Sequence, residues 1–368
     1  MDNQTIIIAV SLALGIGSGF VMHRSDFCIA GIFRDLFLFR HSPLLPSLLL
    51  TIAASTILFE MARLGGLLHY QLPSSLFGVP ALTTLLGGIL FGIGMVLAGG
   101  CVVGVLYKMG AGQTPAMIAV IGLIFGSILY AEFHPAWKQL ATVTKLSDAA
   151  TLPQFLDMQT TSVYLVMLAL LGALLWQFQK QGKIRRPNQV KGYLQPALAG
   201  LFLAVIGVAS FTLTGMPLGI TTSYAKVGSF FEKLLLPEHF SSLAYFQGRG
   251  FQYFSPLSQQ TLTAGAGPFW DGLSLVQFPL ISGIVIGSGI SAWHMGKFQL
   301  RFKLPRAQLV SALLGGIMMG LASRMTPACN VWHLLGGLPL LALQSLLFAV
   351  GLLPGAWLGS RLLTRYVL

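Results

Sequence analysis

The stretch Gly87–Gly112, GGILFGIGMVLAGGCVVGVLYKMGAG, constrains the fold more than any other part of the chain. It opens as an apolar run long enough to start a membrane helix, breaks at Gly99-Gly100-Cys101, and resumes for only a couple of turns. A second stretch, Gly315–Gly337 (GGIMMGLASRMTPACNVWHLLGG), repeats the pattern. A single offset of 228 residues carries Gly87-Gly88-Ile89 onto Gly315-Gly316-Ile317, Gly92 onto Gly320 and Cys101 onto Cys329. Two of the three cysteines therefore occupy one position of an internal repeat.

Runs of this kind belong in a bilayer. Only 9% of the residues are charged and 55% are hydrophobic, whereas soluble domains carry about a quarter charged residues. Apolar windows of about 20 residues recur from end to end, as a polytopic helical protein requires. No long segment alternates with period two, which argues against a membrane β-barrel. The run Ile6–Val21 has neither a basic n-region nor a small-residue cleavage site, so it reads as a retained span and not a signal peptide.

The net charge of +12 sits mostly in Lys180–Lys191, Lys297–Arg306 and the tail Arg361–Arg365. Short basic loops mark the cytoplasmic side of a membrane protein. They are too short to make a basic, aromatic-lined face, so no nucleic-acid partner is expected. Cys28, Cys101 and Cys329 lie far apart, with no CxxC pair and no zinc spacing. Neither a disulfide framework nor a metal or cofactor site is expected.

The spans follow in order. The first runs over Thr5–Val21 and breaks at His23-Arg24-Ser25-Asp26-Phe27-Cys28; a short helix, Ile29–Phe39, follows. Leu44–Arg63 is the second span, and the Pro73–Pro80 loop separates it from the broken Gly87–Gly112 element. Thr114–Tyr130 stops before His134-Pro135, Trp137–Gln159 is interfacial, and Thr161–Gln177 is the fifth crossing. After the basic linker, Pro196–Leu213 breaks at Thr214–Gly219 and resumes as Ile220–Leu236, with Ile220 at the position equivalent to Cys28. Pro237–Gly272 reads as a long polar loop rich in aromatics. Spans at Leu273–Trp293 and Leu338–Leu358 flank the second broken element.

The expected fold is thus an all-α polytopic membrane protein of about nine spans, counting each broken helix once. Residues 1–180 form a first repeat of five crossings, 181–192 a cytoplasmic linker, and 193–368 a second repeat of four. The odd fifth crossing inverts the second half relative to the first, an architecture of transporters with midplane sites. It also places the N-terminus outside and the C-terminus in the cytoplasm.

The chemistry is expected at the breaks. Non-helical backbone at membrane depth is tolerated only inside protein or against a water-filled cavity. A break exposes unpaired N–H groups at the start of the returning half-helix, which carries about half a positive charge there and favours anions. All three cysteines fall at such places, although a single cysteine in a membrane helix is ordinarily a small packing residue. A thiol is a weak donor and a soft, polarizable partner, suited to sulfur or selenium more than to chloride or phosphate.

Other residues carry two readings each. Arg24 and Asp26 bracket the first break and either flank an anion or pair with one another. Arg324, five residues before Cys329, gives an anion a positive rim or neutralises Glu60. Glu60 and Arg63, one turn apart, read first as a mutual pair. Lys108 marks the cytoplasmic edge or attracts a departing anion. His333 is either a hydrogen-bonded core histidine or a member of the site. Asp26 and Glu60 are the carboxylates available for proton coupling. Gly65, Gly66, Gly283, Gly287 and Gly289 read as close helix packing.

The motifs SDFCIAGIFRD (Ser25–Asp35), LAGGCVVG (Leu97–Gly104) and PACNVWHLLGGLP (Pro327–Pro339) resemble those of the YeeE/YedE family of bacterial inner-membrane proteins, over essentially the whole chain. The resemblance implies a helical transporter, not an enzyme, that takes up thiosulfate or a related sulfur anion. It implies that the anion passes Cys28, Cys101 and Cys329 through weak S–H contacts, with Gly99, Gly100, Arg24, Arg324, Asn330 and His333 as further substrate-binding candidates. A soluble sulfur-carrier protein of the TusA type is an implied partner. Selenium compounds are an alternative cargo within the family. The rival readings are a membrane thiol or persulfide enzyme, which would want paired cysteines, and a scaffold that docks a carrier, in which the cysteines would be dispensable.

Overall fold

A computed structural model describes residues 3–68, 77–78, 80–184, 192–248, 250–300 and 303–367. Residues 73–76 and 79 of the Pro73–Pro80 loop, 185–191 of the linker and 301–302 of the second basic loop lie outside the described residues. The helices are α1 (Asn3–Ser25), α2 (Ile29–Leu38), α3 (Leu45–Leu64), α4 (Leu82–Leu97), α5 (Val102–Gly110), α6 (Thr114–Val143), α7 (Leu152–Leu156) and α8 (Thr160–Lys180). They continue as α9 (Pro196–Thr214), α10 (Thr221–Leu235), α11 (Pro237–Ser242), α12 (Ala244–Gln247), α13 (Gly272–His294), α14 (Arg306–Met325) and α15 (Leu343–Tyr366). A π-helical segment, Trp332–Gly337, precedes α15. Counting α1–α2 and α4–α5 once each, nine helical segments among the described residues are long and apolar enough to cross a membrane.

Three expectations need correction. The fourth span does not stop before His134-Pro135, because α6 continues through Pro135 to Val143. Proline removes one N–H from the ladder, but packing holds this end: Tyr130 and His134 lie against Tyr245, and Trp137 Nε1 donates to Met325 O at 3.2 Å. Pro237–Gly272 is not a plain loop. It contains two short helices and an antiparallel hairpin, β1 (Phe251–Ser255) with β2 (Gln260–Ala264), Tyr253 opposite Leu262. Gly65 and Gly66 do not pack against another helix; they close the C-terminus of α3, with Gly66 at φ +71°.

The helices pair across the two halves of the chain. α1 packs on α13, α9 on α3, α4 on α15, and α14 on both α6 and α4. Small residues permit the closest of these approaches. Gly15 and Gly19 face Gly283 and Gly287, and a Cβ on Gly283 would lie 2.9 Å from the Gly15 Cα. α8 presents Leu165, Val166, Leu170, Leu174 and Trp176 outward, an apolar face suited to lipid.

Two faces result. The N-terminal end lies on the hairpin face, where Asn3 Nδ2 donates to Ser258 O. The opposite face gathers the linker, the second basic loop and the C-terminal end. There Leu194 N donates to Arg24 O, Lys297 Nζ to the Tyr193 hydroxyl, and Val367 shares a cavity with Pro305 and Gln308.

A buried ion pair fixes the hairpin to the helices. Lys226 on α10 is fully buried, and its Nζ donates to Gly267 O, Phe269 O and Asp271 Oδ2 at 3.2, 2.8 and 3.0 Å. Asp271 also caps α13 by accepting from Ser274 N, and accepts from Gly265 N. Lys226→Met therefore leaves a carboxylate without its cation, which costs about 3–5 kcal/mol. A clear fall in melting temperature is expected in detergent, with part of it recovered in Lys226→Met/Asp271→Asn.

On the same face His239 lies between Glu232 of α10, at 2.6 Å, and Glu132 of α6, at 3.3 Å. The hydrogen bond to Glu232 raises its pKa above the usual histidine value; partial desolvation opposes this and the charge of Glu132 adds to it. A raised folded pKa contributes stability that is fully present below the unfolded value and is lost as pH rises through the folded one. The melting temperature of the parent minus that of His239→Gln should thus be largest at acidic pH and shrink upward from near neutrality.

Candidate functional site

Four breaks interrupt the bundle, and each closes its own backbone differently. At the second break, Ala98 N, Gly99 N and Gly100 N donate to Gly94 O, Val96 O and Met95 O, with Gly99 at φ +68°. That left-handed turn suits glycine. Cys101 then caps α5, its sulfur accepting from Gly104 N at 3.3 Å, while Lys108 Nζ donates back to Gly99 O. At the first break Asp26 takes φ +49° and Cys28 is the extended N-cap of α2. At the third, Ile220 is the N-cap of α10, the place that Cys28 holds before α2. At the fourth, α14 ends at Met325, and Cys329 O accepts from His333 N as the chain turns into the π-helical segment. Single-turn π geometry of this kind often marks functional positions.

The thiols are buried and free. Cys28 and Cys101 come together on one side of α5, where both sulfurs face Gly104. Gly104 forms the wall beside the pair: a Cβ there would sit 3.3 Å from both the Cys101 and the Cys28 sulfur. The sequence shows no adjacent cysteines, yet the fold makes two of them neighbours. Phe27, Ile29, Val103, Ile220, Val331 and Leu335, all within a few residues of a break, surround an apolar void of only about 20 Å³.

Two larger cavities approach this centre. One, of about 540 Å³, lies under the hairpin and is lined by Arg324, Pro327, Ala328 and Trp332 of the fourth break and Gly219, Thr221 and Thr222 of the third. The other, of about 470 Å³, lies on the basic face and is lined by Arg34, Ala98, Gly99, Lys108 and Gln308. In the chain Cys329 comes directly after Ala328 of the hairpin-side cavity, and Cys101 comes two residues after Gly99 of the basic-side cavity.

A sequence profile described as sulphur transport matches residues 24–358. The chain belongs to this sulphur transport family, the YeeE/YedE proteins. It is similar to the thiosulfate transporter TsuA of Spirochaeta thermophila, 28% identical over 375 residues, covering 98% of this chain and all of the relative. TsuA of Escherichia coli K12 is 25% identical over 370 residues, covering 96% and 94% of the two chains. The probable transporter YedE of Salmonella typhimurium is 30% identical over 134 residues, 35% of this chain and 32% of its own. The family is one of transporters and not of enzymes, so the Cys28–Cys101 pair lies in a membrane transport protein for a sulfur-containing anion.

Within that family context the remaining candidates separate. Arg324 lines the hairpin-side cavity and does not reach Glu60, which binds Arg63 and Thr161. Arg24 lines neither cavity: it donates to Gly192 O at 2.7 Å and lies over the Phe20 ring. It does not pair with Asp26, which accepts from the Tyr107 hydroxyl at 3.1 Å. His333 is fully buried with both ring nitrogens occupied. Its Nε2 donates to Thr326 O and its Nδ1 accepts from the Ser345 hydroxyl, so it braces the two sides of the fourth break. Asn330 is fully buried beside Cys329, and neither side-chain polar atom has a partner among the described residues.

Sequence reasoning missed Trp332, although it lies inside the PACNVWHLLGGLP motif, and it missed Thr221 and Thr222, which follow the residue equivalent to Cys28. It also missed Gly104, whose role is space and leaves no polar signal. A Gly104→Ala change adds a methyl against two sulfurs, an overpacking cost of about 1–3 kcal/mol. Solute uptake is expected to fall several-fold at equal membrane level, whereas Gly172→Ala, in open space on α8, leaves uptake unchanged.

Proposed function

We propose that this protein imports thiosulfate through the membrane along a path of three thiols. The anion enters the hairpin-side cavity, meets Cys329, passes to Cys101 and Cys28, and leaves by the basic-side cavity past Gly99, Lys108 and Arg34. This runs opposite to the chain order of the cysteines. The observation that carries the reading is that three buried cysteines stand at helix breaks, two of them side by side at Gly104, between cavities that belong to opposite faces. The similarity to two thiosulfate transporters supports the choice of cargo.

The mechanism follows from what a thiol offers. Conduction needs sites strong enough to enter and weak enough to leave. A neutral S–H is a weak donor with a polarizable sulfur, so each contact replaces only part of the anion's hydration. The half-helix N-termini behind the thiols supply partial positive charge without a fixed cation that would hold the dianion. Arg324 acts at entry, while Asn330 offers an unpartnered amide next to Cys329. His333 and Arg24 position backbone and linker without touching cargo.

The exchange of partners between halves, α1 with α13 against α9 with α3, and α4 with α15 against α14 with α6, supports an inverted repeat. The basic loops set the orientation, with the hairpin and N-terminus outside and the C-terminus in the cytoplasm of a bacterial inner membrane. A TusA-type carrier receiving sulfur on that basic face is part of the same reading and rests on the family resemblance.

The test is thiosulfate-dependent growth and uptake in a host lacking its own systems. The parent chain should support both. Cys28→Ala, Cys101→Ala and Cys329→Ala, matched for membrane level, should each lower uptake at least about tenfold, the factor that corresponds to a lost contact of about 1.4 kcal/mol. Normal uptake by all three would reduce the cysteines to packing residues. Selenium and other sulfur anions in the same assay define the cargo if thiosulfate is not moved.

A further inference from the structure

The two thiols that face Gly104 can do a chemistry that the passage of an anion does not use. Cys28 and Cys101 are buried and free, and each sulfur lies 3.3 Å from the point that a Cβ on Gly104 would take. The two sulfurs are therefore no further apart than twice that distance. Cys329 has no atom within 4 Å of the same point, so the site holds a pair and not a trio. Both members of the pair are N-caps of half-helices, Cys28 of α2 and Cys101 of α5. Thiols that exchange with disulfides commonly stand at helix starts, in the partial positive charge of the first turn.

A packing or capping role does not require sulfur at both places. Cys101 accepts from Gly104 N at 3.3 Å, which a serine hydroxyl does at least as well. Cys28 makes no side-chain cap bond at all, and alanine would serve it as a small filler. What two facing sulfurs add is a resolving partner. Once one thiol is modified, the other displaces the modifying group within the same site, without a second encounter. An approach for an anionic reagent is present too. The basic-side cavity is lined by Arg34, Lys108 and Gly99, and Cys101 comes two residues after Gly99.

We propose that Cys28 and Cys101 form a thiol–disulfide exchange site for polythionates, dianions in which an S–S bond joins two sulfonate-bearing ends. With tetrathionate, one thiol attacks the central S–S bond, giving a Cys–S–SO3 thiosulfonate adduct through one added sulfur and releasing one thiosulfate. The second thiol attacks the adduct at the cysteine sulfur and releases the other thiosulfate. Two S–H bonds and the central S–S bond break, and one Cys28–Cys101 bond forms. The thiols lose two electrons, tetrathionate gains them, and two protons leave. Thiosulfate is a weak base and so a good leaving group. The consequence for uptake rests on the transport reading above. The disulfide removes both S–H donors from the path and closes it until a dithiol reductant reopens it.

Mass spectrometry of the purified, reduced full chain after treatment with tetrathionate tests the site. The parent should lose two hydrogens in mass through a peptide that joins Cys28 to Cys101, absent from the untreated chain and abolished by dithiothreitol. Cys329→Ser should form the same link. Cys28→Ser and Cys101→Ser should stop at the thiosulfonate adduct on the cysteine left beside Gly104. Unmodified Cys28 and Cys101 in the treated parent overturn the proposal. So do adducts that persist there without a link, or a link that involves Cys329. In the growth host, pretreatment with tetrathionate should lower thiosulfate uptake in proportion to the fraction linked, and dithiothreitol should restore it. Undiminished uptake by the linked protein overturns closure and the thiol path together, and leaves the exchange site standing. Linking in a parent that imports no thiosulfate overturns the transport reading alone.

Discussion

Opening a helix at membrane depth frees carbonyl and amide groups where no lipid can bind them, and the centre of this protein is built around satisfying them. The four solutions differ. Lys108 reaches back to Gly99 O, Ser210 and Thr214 both donate to Met216 O, and His333 donates to Thr326 O. At the first break Ser25 Oγ accepts from Phe27 N. At the second, a cysteine sulfur takes the place that serine or aspartate usually fills at a helix start, accepting from Gly104 N. The Cys101 thiol, which lies on the proposed path, is thus part of the backbone's own hydrogen bonding.

The breaks can meet because helices from one half pack chiefly against helices of the other. The seam of Gly15 and Gly19 on Gly283 and Gly287 brings α1 and α13 into backbone contact, and Gly88 and Gly92 on α4 do the same against α15. Dispersion contacts and short approach distances, not hydrophobic burial, supply the association within lipid. Each broken segment is therefore held by the rigid helices of the opposite half. Once α1 and α13 are fixed, Phe27 and Ile29 are fixed against Val103, Ile220 and Val331.

Much of this was legible in the residues. The repeat offset linked Cys101 to Cys329, the glycine and proline positions located the breaks, and the succession of apolar runs gave the nine crossings. The equivalence of Ile220 with Cys28 reappears as two N-caps. Glu60 and Arg63 pair as their one-turn spacing implies. What escaped was set by tertiary contact. The proximity of Cys28 to Cys101 depends on two helices distant in sequence, and nothing local to either cysteine encodes it. Pro135 reads as a stop signal, but packing against Tyr245 and Met325 overrides it. The aromatic stretch reads as loop, yet Ala244–Gln247 is helical and Phe251–Ser255 is a strand of the hairpin, with Lys226, ordinarily a surface residue, buried against the segment that follows β2. Arg24 looked like part of the first break because it is adjacent in sequence, yet its side chain points to the linker.

The apolar void where the breaks meet also has an electrical meaning. With room for about a single water and no polar lining side chain but Ser18, it keeps the low-dielectric barrier of the bilayer nearly intact through the middle of the protein. A charge crossing such a barrier moves through the full membrane potential, which does work of about 2.3 kcal/mol per elementary charge per 100 mV. For a dianion drawn toward a negative interior that work is doubled and unfavourable. A small dry region where the breaks meet concentrates the voltage drop there, and on the proposed path the crossing of it is the voltage-sensitive step.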